Sequence, residues 1–264
     1  MSYIDTVKKD GENIIIEKYD GANLLIENDN ALEPIDKESD VVRVCFLDLE
    51  TTGLDAKNDH PIEIAMKVVE LSKSTGELIN AVAKYESYND PGLPIDPHIT
   101  KLTGITDEMV SGHSIDWNQV ENLLNLSQIT VAHNAKFDRS FIDKYVDQQI
   151  VWACSQKDID WMERGFFKIS LEMLCMWHGF YFGAHRAMND VNATINLLIH
   201  SSYTDNRPML ELINNVKKPT FRIINNFPYN PVYVKMIKER DRRYFYVPDT
   251  RSWLIDMHDK DELE

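Results

Sequence analysis

The stretch Val41 to Leu49, VVRVCFLDL, constrains this chain more than any other. A run so rich in valine and other apolar residues is expected of a central strand, buried on both faces of a sheet. Yet Asp48 and Glu50 stand at its end, inside the block FLDLETTGL from Phe46 to Leu54. Side chains two apart on a strand project from the same face, so both carboxylates can reach one point in space. Hard oxygen ligands of this kind suit Mg2+ or Mn2+ and not zinc, and no Cys/His cluster competes for that role. Taken alone, the pair fits equally a solvated strand end, the usual fate of isolated acidic pairs.

Two further clusters follow in the chain. Val131 to Ile142, VAHNAKFDRSFI, carries Asp138 near the start of a helix that follows a second predicted central strand. That position is the carboxyl edge of the sheet, where open α/β folds bind ligands. Ala184 to Thr194, AHRAMNDVNAT, carries His185, in a loop with Gly183, and Asp190. Each residue has an ordinary explanation: Asp138 and Asp190 as first-turn helix acids, Asn189 as a helix cap, His185 as a surface or capping histidine. These explanations take the residues one at a time and do not account for all five in one order.

A two-metal phosphodiester-cleaving site does account for them. One ion lowers the pKa of a bound water and the other stabilises the leaving oxygen, with the ions roughly 3.5 to 4 Å apart. Three or four carboxylates are needed to hold such a pair, and one must bridge. A histidine within hydrogen-bond reach of the water can take its proton at neutral pH. His185 is placed to be that base and not a ligand. Gly53, after Thr51 and Thr52, permits a close approach of backbone to ligand.

The size and charge of the chain limit these readings. Its 264 residues, 43% hydrophobic, allow one globular domain of roughly 150 to 200 residues and a smaller appendage. The formal charge of -15 argues against a generic nucleic-acid coat, which carries a basic face, but not against an enzyme whose bound cations meet the phosphate. The charge is uneven: Met1 to Asp40 has four lysines against eleven acidic residues, whereas Lys217 to Arg251 has nine Lys or Arg against three acids. Cys45, Cys154 and Cys175 are odd in number and lack metal-site spacing, which suggests reduced thiols in a cytoplasmic setting. No apolar stretch approaches the roughly 18 residues of a membrane span, and the amino terminus lacks a signal peptide's pattern.

Residues 1–40 are expected to form an amino-terminal hairpin, with Asn13 to Tyr19 and Ala22 to Glu27 flanking Asp20-Gly21, and then an acidic linker around Ala31 to Asp40. Strands fit Pro61 to Leu71 and Glu77 to Ser87 around the turn Ser74-Thr75-Gly76. Helical pieces fit His98 to Thr103, Thr106 to Val110 and Asp116 to Leu126. Beyond them come a strand over Gln128 to Ala132, a helix over Ala135 to Tyr145, a strand over Ile150 to Ala153, and helices over Leu171 to His178 and Asn189 to Ser201. This alternation predicts a mixed α/β sheet covered on both faces. The chain thus divides into residues 1–40, a domain over 41–205 and a small basic α+β module over 217–264. In that module strands fit Thr220 to Ile224, Arg243 to Val247 and Ser252 to Met257, with a turn at Pro248-Asp249-Thr250 and loops at Pro228 and Pro231.

The blocks DLETTGL, HNAKFD and HRAMND, with PIDPHITKLTGITDEMV (Pro94 to Val110) between the first two, resemble the DEDDh branch of the DnaQ-like 3′-to-5′ exonucleases, the family of bacterial proofreading epsilon subunits. The resemblance covers about residues 42 to 202. It implies a ribonuclease H-like α/β fold, a mixed five-stranded sheet with helices on both faces, and two Mg2+ or Mn2+ ions as cofactors. By that resemblance Asp48 bridges both ions, Glu50 and Asp190 complete the first metal site, Asp138 holds the second largely through water, and His185 is the general base. Thr51, Thr52, Gly53, His133 and Asn134 would lie along the path of the terminal nucleotide. Glu63, in HPIEIA, matches a family acid near the site, in a supporting place and not a catalytic one.

The carboxyl-terminal module is similar to a small extension of some bacterial members, with Lys235 and Lys238 before Arg242-Arg243-Tyr244-Phe245 and then Trp253, although Asp241 replaces the usual glycine. Its basic and aromatic residues could grip a single strand. Alternatively Tyr244, Tyr246 and Trp253 form the core of a small domain. The expected partner is a nucleic acid with a 3′ end, DNA being favoured and RNA possible, and the expected activity is release of nucleoside monophosphates, in DNA repair or proofreading. An exoribonuclease of the same fold and a non-catalytic nucleic-acid-binding or polymerase-accessory protein remain alternatives. No sliding-clamp peptide follows the catalytic domain, so association with a polymerase or clamp is unsupported.

Overall fold

The computed structural model describes residues 3–4, 7–26, 34–36, 38–216, 221–225, 231–232, 235, 245–247 and 252–257. Its first elements are the short strands β1 (Lys9–Asp10), β2 (Asn13–Ile14) and β3 (Glu17–Lys18), and a 3-10 turn at Ala22–Leu24. The long strands β4 (Val41–Thr51), β5 (Pro61–Ser72) and β6 (Leu78–Tyr88) follow, then helices α1 (Pro97–Thr103), α2 (Asp107–Val110) and α3 (Trp117–Asn125). Next come β7 (Ile129–Ala132), α4 (Lys136–Ile142), β8 (Trp152–Cys154), α5 (Leu171–Trp177), β9 (Phe180–Tyr181), α6 (Ala187–Leu198) and α7 (Pro208–Val216). The last described strands are β10 (Phe221–Asn225), β11 (Phe245–Val247) and β12 (Ser252–Met257).

The main sheet has the order β6-β5-β4-β7-β8. β4, β5 and β6 form an antiparallel meander, whereas β7 lies parallel to β4, and β8 parallel to β7. Parallel neighbours need a crossover, and helices supply it: α1 to α3 before β7, and α4 before β8. Helix starts are set locally where a polar residue can accept from the first amides. Asp96, Thr106, Asp116 and Ser170 do this for α1, α2, α3 and α5.

The strand register sorts residues between the faces. Phe46 lies opposite Lys67, Asp48 opposite Ala65 and Glu50 opposite Glu63, and directly paired residues share a face. The opposite face presents Cys45, Leu47 and Leu49 with Ile64, Met66 and Val68, all buried against Val120, Leu123 and Leu124 of α3 and Phe141 and Ile142 of α4. Each such side chain, taken fully out of water, stabilises the fold by about 1.5–3 kcal/mol. The face bearing Asp48 and Glu50 receives α6, where the Lys67 Nζ donates to Asn192 Oδ1 at 2.6 Å. This is the five-stranded mixed sheet with helices on both faces that the family resemblance implies.

The amino-terminal hairpin does not turn at Asp20-Gly21. β1 and β2 pair antiparallel about Gly11 and Glu12, while β3 pairs in parallel with β9. Gly21 does take a positive φ of 79°, but as the cap of the 3-10 turn. The residues after it curl under, burying Leu24. α7 and β9 have no counterpart among the expected elements. Residues 31–33 and 37 of the acidic linker lie outside the described residues, as do Pro228 and the Pro248-Asp249-Thr250 turn.

The chain separates into two compact units, Met1–Ile213 and Asn214–Glu264. In the second, β12 pairs antiparallel with β10 and with β11. Among the described residues no helix is long and apolar enough to cross a membrane, and all three cysteines are free.

Phe141 has 0% of its surface exposed and joins α4 to the sheet. Phe141→Ala should cost about 3–5 kcal/mol in urea denaturation. A loss below about 1 kcal/mol would show that this cluster does not secure α4.

Candidate active site

β4 ends in a register irregularity between Glu50 and Thr51, and bulges of this kind re-aim the side chains beside them. Asp48 and Glu50 point to the α6 side, where Asp190 occupies the first turn of the helix. One carboxylate oxygen from each of Asp48, Glu50 and Asp190 lies within 4.8 Å of the others, the group among the described residues with the donor atoms and spacing to hold a metal ion. Asp138 enters from the first turn of α4 and is 2% exposed. Its Oδ1 accepts from the Leu49 backbone N–H at 3.1 Å, between the two β4 acids. Four of the five residues singled out in the sequence therefore converge.

Burial raises all four carboxyl groups, and mutual repulsion adds to it. Desolvation and then Asp138, Asp190 and Glu50 push Asp48 well above the ordinary carboxylate range. Desolvation and Asp190 bring Glu50 to about 8. Asp138 rises to about 8 and Asp190 to about 7, desolvation again leading, with hydrogen bonds from Leu49 and Arg186 opposing the rise. Poorly hydrated carboxylates sharing one space are a configuration that a divalent cation relieves. The all-oxygen donor set fits Mg2+ or Mn2+.

His185 ends the loop before α6, half-exposed, with its Nε2 3.9 Å from Glu172 Oε1 on α5. Its backbone φ is 63°, and the only other described non-glycine residue with positive φ is Asn134, at 72°. This conformation is sparsely populated for residues with a Cβ, although Asn and His tolerate it better than most. Surrounding structure must hold both residues there.

Asn189 is not the cap of α6. The helix begins at Ala187, and the Asn189 amide donates to the Gly183 carbonyl at 2.8 Å. The capping acceptor comes instead from Glu63 on β5, whose Oε2 takes the Ala187 N–H at 2.9 Å. Its Oε1 takes the Arg186 Nη2 at 2.9 Å, and the same nitrogen meets the Tyr88 hydroxyl at 2.6 Å. Glu63 is thus committed to the start of the helix that carries Asp190. Tyr88 and Glu172 lie outside the motif blocks, and Arg186, though inside HRAMND, shows its role only through partners distant in the chain.

The expected substrate-contact residues are mostly engaged within the fold. The Thr51 hydroxyl donates to the Gly53 carbonyl at 2.6 Å, and Thr52 Oγ1 to Asp59 Oδ1 at 3.1 Å. A Cβ on Gly53 would sit 2.5 Å from the Asp59 carboxylate, so here the glycine makes room for Asp59. His133 has one ring nitrogen 2.9 Å from Ser155 Oγ and the other 3.0 Å from the Ile169 carbonyl. Burial lowers its pKa to about 4, leaving a neutral brace between β7 and the segment before α5. Asn134 is exposed.

The family model RNase_T, described as "Exonuclease", matches residues 45–198. The chain is similar to the DNA polymerase III PolC-type of Halalkalibacterium halodurans, 34% identical over 164 residues, 57% of this chain and 11% of that protein. It is likewise similar to the PolC-type enzyme of Streptococcus suis, 30% identical over 246 residues, 83% of this chain and 16% of that protein. It therefore spans a small fraction of these relatives' length. Among solved structures, Exonuclease X in complex with 5′ overhanging duplex DNA aligns at 25% identity and a TM-score of 0.48, covering 64% of this chain and 99% of that one.

The raised carboxyl groups link stability to pH. Folded pKa values above the unfolded ones mean that the native state holds more protons, so this contribution is full below about pH 4 and is lost as pH rises through about 7 to 8. Mn2+ at about 100 times its Kd should stabilise the protein at pH 8 by about 2.7 kcal/mol, or roughly 5 to 10 °C in Tm. The gain should shrink at pH 5, where protons compete; equal gains at both pH values in a melting assay would contradict the cluster's ionisation.

Proposed function

Because the chain belongs to the exonuclease family whose model it matches over residues 45–198, we propose that it is a divalent-metal-dependent 3′-to-5′ exonuclease releasing nucleoside monophosphates from single-stranded 3′ ends of DNA. The observation that carries this reading is the convergence of Asp48, Glu50 and Asp190, with the Asp138 carboxylate held on the Leu49 amide between the two β4 acids. The direction is the one implied by the blocks DLETTGL, HNAKFD and HRAMND. DNA is favoured because the relatives carry the name DNA polymerase III PolC-type.

Asp48, Glu50 and Asp190, with Asp138 beside them, would hold two Mg2+ or Mn2+ ions, which when bound ease deprotonation of the attacking water and stabilise the leaving oxygen. His185 accepts the proton of that water. The acid beside the ring is Glu172, whose Oε1 lies 3.9 Å from the His185 Nε2. The water oxygen attacks the terminal phosphorus, the bond from phosphorus to the 3′ oxygen of the preceding nucleotide breaks, and that oxygen takes a proton from solvent to become the new 3′ hydroxyl while His185 returns its proton to water. Glu63 and Arg186 act indirectly, by fixing where α6 begins. The basic residues of the carboxyl-terminal unit retain the strand between cleavages.

Asp190→Ala should abolish Mg2+-dependent hydrolysis with the melting curve preserved, and His185→Ala should lower kcat by about 10²–10⁴-fold while Mn2+ binding persists. Substantial residual activity in Asp190→Ala would sink the site. Labelled single-stranded DNA, duplex DNA and RNA with matched 3′ ends, digested in parallel, test the substrate, and fastest loss of RNA would point to an exoribonuclease.

Removal of residues 217–264 should raise KM several-fold and flatten its salt dependence with little change in kcat. An unchanged KM across salt concentrations would refute a binding role for that unit.

A further inference from the structure

The segment from Gly179 to Asn192 carries both His185 and Asp190, and both of its ends meet residues 17–24, which precede the family match beginning at residue 45, the far end through Lys67. At its start, β9 has one strand partner, β3, in a two-stranded parallel sheet. The Glu17 N–H donates to the Gly179 carbonyl at 3.0 Å and the Tyr19 N–H to the Tyr181 carbonyl at 2.8 Å. The Tyr19 ring meets Phe180 edge-on at 5.6 Å.

The far end is held by the residues that follow. Gly21 lies so close to Asn192 that a Cβ would stand 2.6 Å from its Nδ2. The Lys67 Nζ, on a side chain buried in β5, donates to the Asn192 Oδ1 at 2.6 Å and to the Leu24 carbonyl at 3.2 Å. Leu24 itself is 1% exposed.

We propose that residues 17–24 are a positioning strap for the Gly179–Asn192 segment, anchored by Lys67. The proposal rests on reading His185 as the base and Asp190 as a metal ligand. His185 holds a φ of 63°, which its own residue type does not dictate. A backbone held away from its preferred conformation stays there only when its flanks are restrained. The strap restrains both flanks, one by strand pairing and the other through Asn192. Chemistry at this site is sensitive to displacements of about 1 Å, which can cost 10²-fold in rate. The strap therefore bears on turnover without touching substrate.

Two full-length variants test this. Gly21→Ala forces a Cβ against Asn192 at a positive φ. Lys67→Met keeps an unbranched apolar stem of similar length while removing the donors to Asn192 and Leu24, at a local cost to stability for the acceptors left unpaired. In hydrogen exchange, amides 179–192 should exchange at least about tenfold faster in both variants, with β4 and β7 unchanged. With Mn2+ and single-stranded DNA, kcat should fall by about 10- to 100-fold, with KM within about twofold. Unchanged exchange at 179–192, exchange raised uniformly across the unit, or full kcat in Lys67→Met despite a loosened segment would each overturn the proposal. An inactive wild-type protein would instead refute the exonuclease reading, and the exchange data would still judge whether the strap restrains the segment.

Discussion

Like charges crowded into a poorly solvated space are the constraint around which this fold is built. Asp48, Glu50, Asp138 and Asp190 would each move toward water if their backbones allowed it. They come from three parts of the chain, and each is held differently. The β4 acids sit on a strand paired along its length with β5, Asp138 is tied to the Leu49 amide, and Asp190 stands in the first turn of a helix whose first amide, that of Ala187, is held by Glu63.

Glu63 lies directly opposite Glu50 and would be a fifth carboxylate in the cluster. Its ion pair with Arg186 removes it from contention, because both of its oxygens accept hydrogen bonds from the start of α6. Hence one guanidinium does two things: it neutralises a like charge and locks the helix that supplies Asp190. The positive φ of His185 stands one residue before this lock, so the base and the acid are placed by a continuous restraint.

Much of the fold can be read from the sequence because its signals are local. The apolar run before Asp48, the strands around Gly76 and the polar residues that cap α1, α2 and α3 act over a few residues, and the structure keeps them. The Asp20-Gly21 hairpin fails for a reason of the same kind. The dipeptide supplies the left-handed glycine, but nothing local says that β3 will find β9 more than 160 residues away in sequence. α7 could have been read, from Pro208 at its first position and Met209, Leu212 and Ile213 at helical spacing. Asn189 misleads because an Asn near a helix start is a common cap, whereas the acceptor that caps α6 arrives from another strand.

By itself the sequence determined the strand that ends in two carboxylates, the order of the acidic clusters and the elements that carry them, since these follow from side-chain periodicity and short-range hydrogen bonding. Only the tertiary structure decided which of those residues meet and in what state. Whether His133 faces a ligand or braces a loop, whether Gly53 admits a ligand or Asp59, and whether Glu63 joins the cluster or clamps a helix depend on partners far apart in the chain. So does the rise of each carboxyl group, because desolvation and repulsion exist only once the backbone has closed around them.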